Sequence, residues 1–198
     1  MSGHLTLTTD SGIATLTIDR PEKRNAMSLS MWTQLPQLIS AVEADPKVKV
    51  LIIRGGDHFS AGADIGEFAT VRGCAYAGRH YDDVVERAEI AIVTLSRPTI
   101  AAISGYCIGG GCELAAACDI RIGTPETIMA ITPAKLGLVY NYRSTRALVR
   151  LVGPAWAKQM LFYRRPSLSR PSTAYRSAQR DCRHRRPRRP RERARNYH

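Results

Sequence analysis

One segment of the chain places residues suited to chemistry inside an otherwise apolar stretch. Three consecutive glycines at 109–111 follow the apolar run "TIAAISG", and Glu113 lies two residues beyond them at the start of a short helical pattern. Glycine lets a ligand approach the backbone closely, and the first amides of a helix have no acceptor within the helix. The segment therefore predicts a site where backbone N–H groups bind an oxygen atom and a carboxyl group moves a proton.

Two other uses of glycine-rich turns are excluded by the neighbouring residues. A phosphate-binding loop requires Gly-Lys-Ser/Thr, whereas Cys112 and Glu113 follow Gly111 here. The dinucleotide fingerprint G-x-G-x-x-G lacks its last glycine, and a carboxylate at this place would repel phosphate. The remaining use of such a turn is an oxyanion hole that binds a polarised carbonyl group.

A second loop is a natural source of the other oxyanion donor. The segment "FSAGADI" at 59–65 follows the apolar run "VKVLIIRGG" and consists mostly of small residues. Oxyanion holes commonly combine amides from two segments of the chain. Small side chains here would let an extended substrate lie against the backbone.

The surrounding pattern indicates the elements that position these loops. Alternating runs on either side of residues 10–12 predict a hairpin, and the continuous apolar runs 48–56 and 99–105 predict buried parallel strands. Helical patterns run from a Ser30 cap to about Ala44, from about His80 to Leu95, and on both sides of Gly153 and Pro154. Strands that alternate with helices predict an α/β fold with mostly parallel pairing.

Bulk composition is typical of a globular enzyme core. The 198 residues are 44% hydrophobic and 23% charged. The start, "MSGHLTLTTDSG", lacks a signal-peptide pattern, and no run reaches the ~18 apolar residues of a membrane span, so we expect a cytoplasmic protein without a membrane partner. The five cysteines form no CxxC pair, so we expect small buried side chains and no metal site.

Positive charge is confined to the last part of the chain. Residues 164–198 hold 13 arginines and two acidic residues, which accounts for most of the net charge of +12. We expect a globular core at 1–163 and an Arg/Pro-rich tail at 164–198 that is disordered or non-native, because its abrupt composition also fits translation in a shifted reading frame. A nucleic-acid-binding arm is the alternative.

The motifs "DRPEKRNAMS", "FSAGADI" and "AAISGYCIGGGCELAAACDIRI", in this order and spacing, resemble the crotonase superfamily of enoyl-CoA hydratases and isomerases. The resemblance covers about residues 5–163. It implies a ββα-spiral core that binds acyl-CoA thioesters and assembles as trimers or dimers of trimers. It further implies that the C-terminal helical part of the family is largely missing here. Coenzyme A would be part of the substrate, and no other cofactor is implied.

The resemblance also assigns roles to individual residues. The backbone amides of Ala63 and Gly110 would form the oxyanion hole, and Glu113 would be the first catalytic glutamate of the hydratases. The remaining implied residues contact substrate or CoA, mostly through backbone: Ala61, Asp64, Ile65, Gly109 and, near the CoA phosphates, Arg24.

The sequence departs from the family pattern where hydratases carry their second glutamate. Ala134 takes that place in "TPAKLGL", and Glu126 lies eight residues too early to replace it. Tyr140 and Tyr142 could offer a phenol to the site, although a buried structural tyrosine is the simpler interpretation. Hydration by two carboxyl groups should be crippled, which leaves isomerisation, decarboxylation or an unusual hydration open. A catalytically impaired scaffold of the same fold is the alternative from another class.

Overall fold

The computed structural model describes residues 4–162, apart from the side chain of Lys135, and the backbone of residues 167–168. Within them the α/β fold and the crotonase-like core are confirmed. The predicted Arg/Pro-rich tail at 164–198, with its nucleic-acid alternative, lies outside the described residues except for the backbone of 167–168.

The main sheet carries the strands that lead into the site. Its five strands are β1 (His4–Asp10), β2 (Ile13–Asp19), β3 (Val50–Arg54), β4 (Thr99–Ile103) and β6 (Ile120–Gly123), in the order β1-β2-β3-β4-β6. The predicted hairpin joins β1 and β2 antiparallel, and the other pairs are parallel. Ser11 and Gly12 make the turn with φ of 50° and 82°, the left-handed conformation that a tight hairpin needs.

The strand that follows β4 in the chain belongs to a second, smaller sheet. It contains β5 (Tyr106–Ile108), β7 (Ile128–Ala130) and β8 (Ser167–Leu168), with β5 and β7 parallel. The sequence pattern did not separate β5 from the preceding strand. At three residues it is too short to show a period of its own, and Gly105, with φ of 50°, turns the chain between the two strands.

The described residues form five α-helices, which are α1 (Leu29–Ala44), α2 (Phe68–Val71), α3 (Ala75–Thr94), α4 (Gly110–Ala117) and α5 (Tyr142–Phe162). The predicted cap of α1 was wrong by two residues, because the Ser28 hydroxyl, not that of Ser30, accepts from the Met31 amide. The α3 helix begins five residues before His80, where its largely exposed first turn shows no apolar stripe. The predicted break in α5 is present, since Gly153 is non-helical with φ of 78°.

The core lies between the main sheet and helices α1 and α3. Trp32 and Phe59 are among its largest fully buried side chains. Three of the cysteines are buried as expected (Cys107, Cys112 and Cys118), whereas Cys74 is exposed because it caps α3. No cluster of three or more His, Cys, Asp or Glu side chains suited to a metal ion occurs among the described residues. None of the helices in that part of the chain combines the length and apolarity needed to cross a membrane.

Candidate active site

Two loops that are distant in sequence meet at the carboxyl ends of β3 and β4. Because these strands are parallel, the chain leaves both at the same edge of the sheet. The Ser60 amide then donates to the Tyr106 carbonyl at 2.9 Å, and the Ile108 amide donates back to the Ser60 carbonyl at 2.9 Å. This short parallel bridge fixes the 59–65 loop beside the glycine turn.

The close approach of the two loops depends on glycine. A Cβ on Gly62, whose φ is 95°, would lie 2.6 Å from the Ile108 carbonyl oxygen, and one on Gly111 would lie 2.7 Å from the Ser60 carbonyl oxygen. Gly109 enters α4 with φ of 50° and ψ of −113°, a conformation that side chains disfavour. The glycines therefore allow backbone of one loop to contact backbone of the other.

The Ala63 and Gly110 amides lie close together at this junction and lack an acceptor among the described residues. In the 59–65 loop, Ala61 donates to the Arg24 carbonyl, Gly62 to the Ser60 hydroxyl and Asp64 to the Met27 carbonyl. Within the described part of the chain, no hydrogen bond takes up the Ala63 N–H or the N–H of Gly110, the first residue of α4. Two donors are thus available to a ligand.

The Ala63 nitrogen and the Glu113 carboxyl both lie beside Gly110. A Cβ placed on Gly110 would lie 3.5 Å from the Ala63 nitrogen and 3.6 Å from Glu113 Oε2. Glu113 belongs to the first turn of α4, so the helix itself sets its distance from Gly110. The structure therefore brings together the three residues assigned to catalysis from sequence, around the space beside Gly110.

This space opens into a cavity of about 360 Å³. Its walls are largely apolar and aromatic, with contributions from Trp32, Ala63, Phe68, Tyr81, Val85, Gly110, Glu113, Leu138 and Tyr140, among others. Arg72 and Asp82 also line it and pair with each other at 2.8 Å between Nη1 and Oδ1. Such a cavity suits an acyl chain with a reactive polar end.

The site holds Glu113 in its protonated form near neutral pH. Burial raises the pKa of the Glu113 carboxyl from 4.5 to about 8, and the negative charge of Glu89 adds to this rise. Hydrogen bonding from Ser144 acts in the opposite direction and lowers the pKa. A carboxyl group titrating near pH 8 can serve as a general acid or, when ionised, as a strong general base.

A second cavity, of about 670 Å³, adjoins the first and is lined by most of the residues that the resemblance assigns to CoA binding. Ala61, Ala63 and Ile65 line both cavities, so the two are continuous along the 59–65 loop. At its outer side lie Lys23 and Arg24, both exposed, with the Arg24 guanidinium 5.5 Å from the centre of the Tyr106 ring.

The Asp64 side chain is occupied within the protein. Its Oδ2 pairs with Arg20 Nη1 at 2.8 Å, and its Oδ1 accepts from the Gly66 amide at 3.0 Å. Asp64 is buried. Backbone is consequently what this residue can present to the second cavity, as the sequence resemblance implied.

The residues around the place where the family resemblance expects a second glutamate lie in different surroundings. Ala134 is exposed in a short 3₁₀ turn, and Glu126 is exposed elsewhere. The Tyr140 hydroxyl donates to the Gly109 carbonyl at 3.1 Å, which supports the glycine turn, while Tyr142 is 79% exposed at the mouth of the cavity.

Sequence reasoning missed several groups at the site. Trp32 and Tyr81 line the cavity of about 360 Å³, which we call the acyl cavity. Their polar atoms, Nε1 and Oη, are buried without a hydrogen-bond partner among the described residues. Glu89 is 2% exposed, and its negative charge raises the pKa of Glu113. The one available signal was that Glu89 interrupts the apolar stripe of α3, one turn after Val85 and three residues before Ile92.

Comparison with known proteins gives a consistent result. Residues 8–167 match the family model described as enoyl-CoA hydratase/isomerase. The chain is 35% identical over 161 residues to the crotonyl-CoA hydratase of Syntrophomonas wolfei, covering 80% of this chain and 61% of that protein. It is 32% identical over 163 residues to the peroxisomal Delta(3,5)-Delta(2,4)-dienoyl-CoA isomerase of Arabidopsis thaliana, covering 77% and 59%.

Solved structures agree with these relatives. An enoyl-CoA hydratase/isomerase family protein from Hyphomonas neptunium superposes with a TM-score of 0.82 at 35% identity, covering 90% of this chain and 74% of that one. The chain spans about 60% of the length of these curated relatives. With the matched motifs and the fold in agreement, the chain belongs to the enoyl-CoA hydratase/isomerase family.

Proposed function

We propose that the chain binds an acyl-CoA thioester and catalyses proton transfer at its acyl carbons. The Ala63 and Gly110 amides bind the thioester oxygen, and Glu113 moves the proton. The closeness of the Ala63 nitrogen and Glu113 Oε2 to Gly110, together with the lack of an acceptor for the Ala63 and Gly110 amides among the described residues, carries this proposal.

Backbone N–H groups stabilise the negative charge that develops during the reaction. Loss of a proton from the carbon next to the thioester places negative charge on the thioester oxygen, and two fixed N–H donors stabilise it. The Gly110 amide also lies at the amino end of α4, where the helix dipole favours negative charge. Both donors are in place before the reaction, so little reorganisation is needed.

Isomerisation of a double bond is the reaction that one carboxyl group can complete. Ionised Glu113 takes a proton from C2 of a 3-enoyl-CoA, the C–H electrons form a dienolate, and the same carboxyl returns the proton to C4. Glu113 suits this role because, among the described residues lining the acyl cavity, it is the carboxyl without an ion pair, while Asp82 is held by Arg72. Hydration would require a second free carboxyl to activate water.

The test is a spectrophotometric assay of the purified chain with 3-enoyl-CoA and 2-enoyl-CoA substrates. We expect Glu113→Gln to lower kcat by roughly 100-fold or more, as is usual when a general base is removed. Glu126→Gln, an exposed carboxyl outside the site, is the matched control and should leave kcat unchanged.

The pH profile separates a base from an acid. Because the pKa of Glu113 is about 8, kcat/KM for 3-enoyl-CoA should rise as pH increases toward and through 8 if the carboxylate is the base. A fall over the same range with 2-enoyl-CoA would instead identify Glu113 as an acid in hydration. CoA-ester binding by calorimetry without turnover of either substrate would support the scaffold alternative and refute the catalytic role.

A further inference from the structure

Two side chains in the wall of the acyl cavity carry hydrogen-bond donors that the described residues leave unpaired. Trp32 in α1 and Tyr81 in α3 are 0% and 5% exposed, and both line the cavity. The indole Nε1 and the phenol Oη have no hydrogen-bond partner in the part of the chain that the structure describes. Buried polar groups in native proteins are nearly always paired, because leaving a donor unpaired is costly. The two donors therefore suit a partner that a molecule bound in the cavity supplies.

The Trp32 indole lies directly beside the candidate oxyanion donors. A Cβ on Gly110 would lie 3.0 Å from Trp32 Cζ2 and 3.5 Å from the Ala63 nitrogen. Nε1 is two bonds from Cζ2, so the indole N–H belongs to the same edge of the ring. An acyl chain whose thioester oxygen is bound by the two amides would pass along this edge.

The Tyr81 ring is held in place by its neighbours. Phe68 packs against it edge-on, with the ring centroids 5.8 Å apart, and the Arg72 guanidinium lies 4.8 Å from the centre of the ring. Burial raises the pKa of the Tyr81 phenol well above its usual range, although the nearby Trp32 N–H lowers it, so the phenol keeps its proton. Even with the indole N–H directed at the phenol oxygen, the phenol O–H is a donor without an acceptor among the described residues.

The charges in the cavity wall favour a neutral ligand group. Arg72 lines the cavity, but its guanidinium pairs with Asp82 at 2.8 Å. Glu113 lines the same cavity, and in the ionised form that a base requires it would repel a carboxylate. A hydroxyl or carbonyl oxygen accepts hydrogen bonds without carrying a charge, so it matches two neutral donors.

We propose that Trp32 and Tyr81 are specificity-determining residues that bind a neutral oxygen atom on the acyl chain, beyond the carbons that exchange the proton. The preferred substrate is an acyl-CoA thioester with a hydroxyl or keto group on its acyl chain, because a hydrocarbon chain leaves the buried donors unpaired. The proposal rests on the proposed function, since it takes the cavity beside Glu113 as the place of the acyl group.

The test measures the binding of saturated acyl-CoA esters to the full chain by calorimetry, because saturated esters bind without turnover. 5-Hydroxyhexanoyl-CoA and 5-oxohexanoyl-CoA are compared with 5-methylhexanoyl-CoA, in which a methyl group replaces the oxygen. 6-Hydroxyhexanoyl-CoA and heptanoyl-CoA form a second matched pair, with the oxygen one carbon further along. We expect an oxygenated ester to bind about tenfold more tightly than its hydrocarbon match.

Tyr81→Phe removes the phenol O–H and keeps the ring that Phe68 and Arg72 contact. In this variant the preference for oxygen should largely disappear, while binding of 5-methylhexanoyl-CoA shows that the variant is folded. Tyr76→Phe, on the same helix and 76% exposed, is the matched control and should keep the wild-type preference.

The Trp32 donor is followed in the wild-type chain, so that no core side chain has to be removed. The chain has two tryptophans, and Trp156→Phe assigns their indole N–H signals in a proton–nitrogen NMR spectrum. The Trp32 signal should move downfield with the oxygenated ester that binds best and should not do so with its hydrocarbon match.

The outcomes separate this proposal from the proposed function. Equal affinity for oxygenated and hydrocarbon esters overturns the proposal, and so does a preference that Tyr81→Phe retains. Tighter binding of adipoyl-CoA, which ends in a carboxylate, than of 6-hydroxyhexanoyl-CoA overturns it in favour of recognition by Arg72. An oxygen preference in a chain that turns over no enoyl-CoA supports the proposal and overturns the proposed catalysis, whereas turnover without an oxygen preference does the reverse.

Discussion

At the scale of single residues, the site is formed by backbone more than by side chains. The Ala63 and Gly110 amides are available because no acceptor among the described residues takes them up and because Gly110 has no side chain to fill the space beside it. Glu113 is the side chain that faces this space. Function should therefore depend on the absence of a methyl group at Gly110 as much as on the presence of the carboxyl.

Gly110→Ala tests that dependence. The added Cβ would lie 3.0 Å from Trp32 Cζ2 and would fill the space 3.5 Å from the Ala63 nitrogen. We expect kcat/KM for enoyl-CoA to fall about 100-fold, the loss that follows removal of an oxyanion donor. Gly78→Ala in α3, where nothing lies within 4 Å of the new Cβ, is the control and should stabilise the fold by about 1 kcal/mol. Equal losses of activity in both variants would contradict the argument.

At the scale of elements, the 59–65 loop is held in place by an anchor outside the site. Arg20, directly after β2, pairs with Asp64 at 2.8 Å and donates to the Ala26 carbonyl at 3.2 Å. The bridge between Met27 and Ala63 adds backbone hydrogen bonds on either side of the free amide. The Ala63 amide is thus fixed by β2, the loop before α1 and β5 together.

Asp64→Asn should loosen this arrangement. The Arg20 guanidinium would remain largely buried with only the exposed Glu22 carboxylate beside it, at 3.8 Å, and we expect a loss of about 3 kcal/mol in the free energy of unfolding, measured in urea. The KM for acyl-CoA should rise as well, because the loop lines both cavities. The exposed Asp10→Asn in the hairpin should change stability by less than ~0.5 kcal/mol. Wild-type stability in Asp64→Asn would show that the ion pair does not anchor the loop.

Much of this framework could be predicted from sequence, for local reasons. The apolar runs of β3 and β4, and the glycines before α4, are local signals that need no knowledge of the rest of the chain. The cap at Ser28 was misplaced because Ser30 has the same chemistry two residues later. Glu89 was missed because its hydrogen-bond partner Ser144 lies 55 residues away, and no local pattern contains that contact.

At the scale of the whole molecule, the proposed function implies a division of the substrate, with its reacting part in the first cavity and a handle in the second. The first cavity is lined by Trp32 and Tyr81, whereas the second is lined by the exposed cations Lys23 and Arg24. Binding of a CoA phosphate by exposed charges should affect affinity and depend on salt. Chemistry at Glu113 should be insensitive to both charges.

The double variant Lys23→Glu/Arg24→Glu tests this division. We expect KM for acyl-CoA to rise roughly tenfold at low salt, equivalent to ~1.4 kcal/mol, with kcat nearly unchanged. The difference from wild type should shrink as ionic strength increases. Lys47→Glu/Lys49→Glu, which reverses two exposed charges before β3, is the matched control. A fall in kcat without a change in KM would place these residues in the chemical step.

The buried carboxyl groups also connect the working pH of the site to the stability of the fold. An unfolded chain ionises Glu113 near its ordinary pKa of 4.5, whereas the folded chain holds the proton until about pH 8. The stabilisation from that bound proton is complete below pH 4.5 and is lost as pH rises through 8. Burial of Glu89 acts in the same direction. Alkaline conditions that ionise Glu113 therefore weaken the native state. These two carboxyl groups favour a fold that is more stable in acid than in alkali.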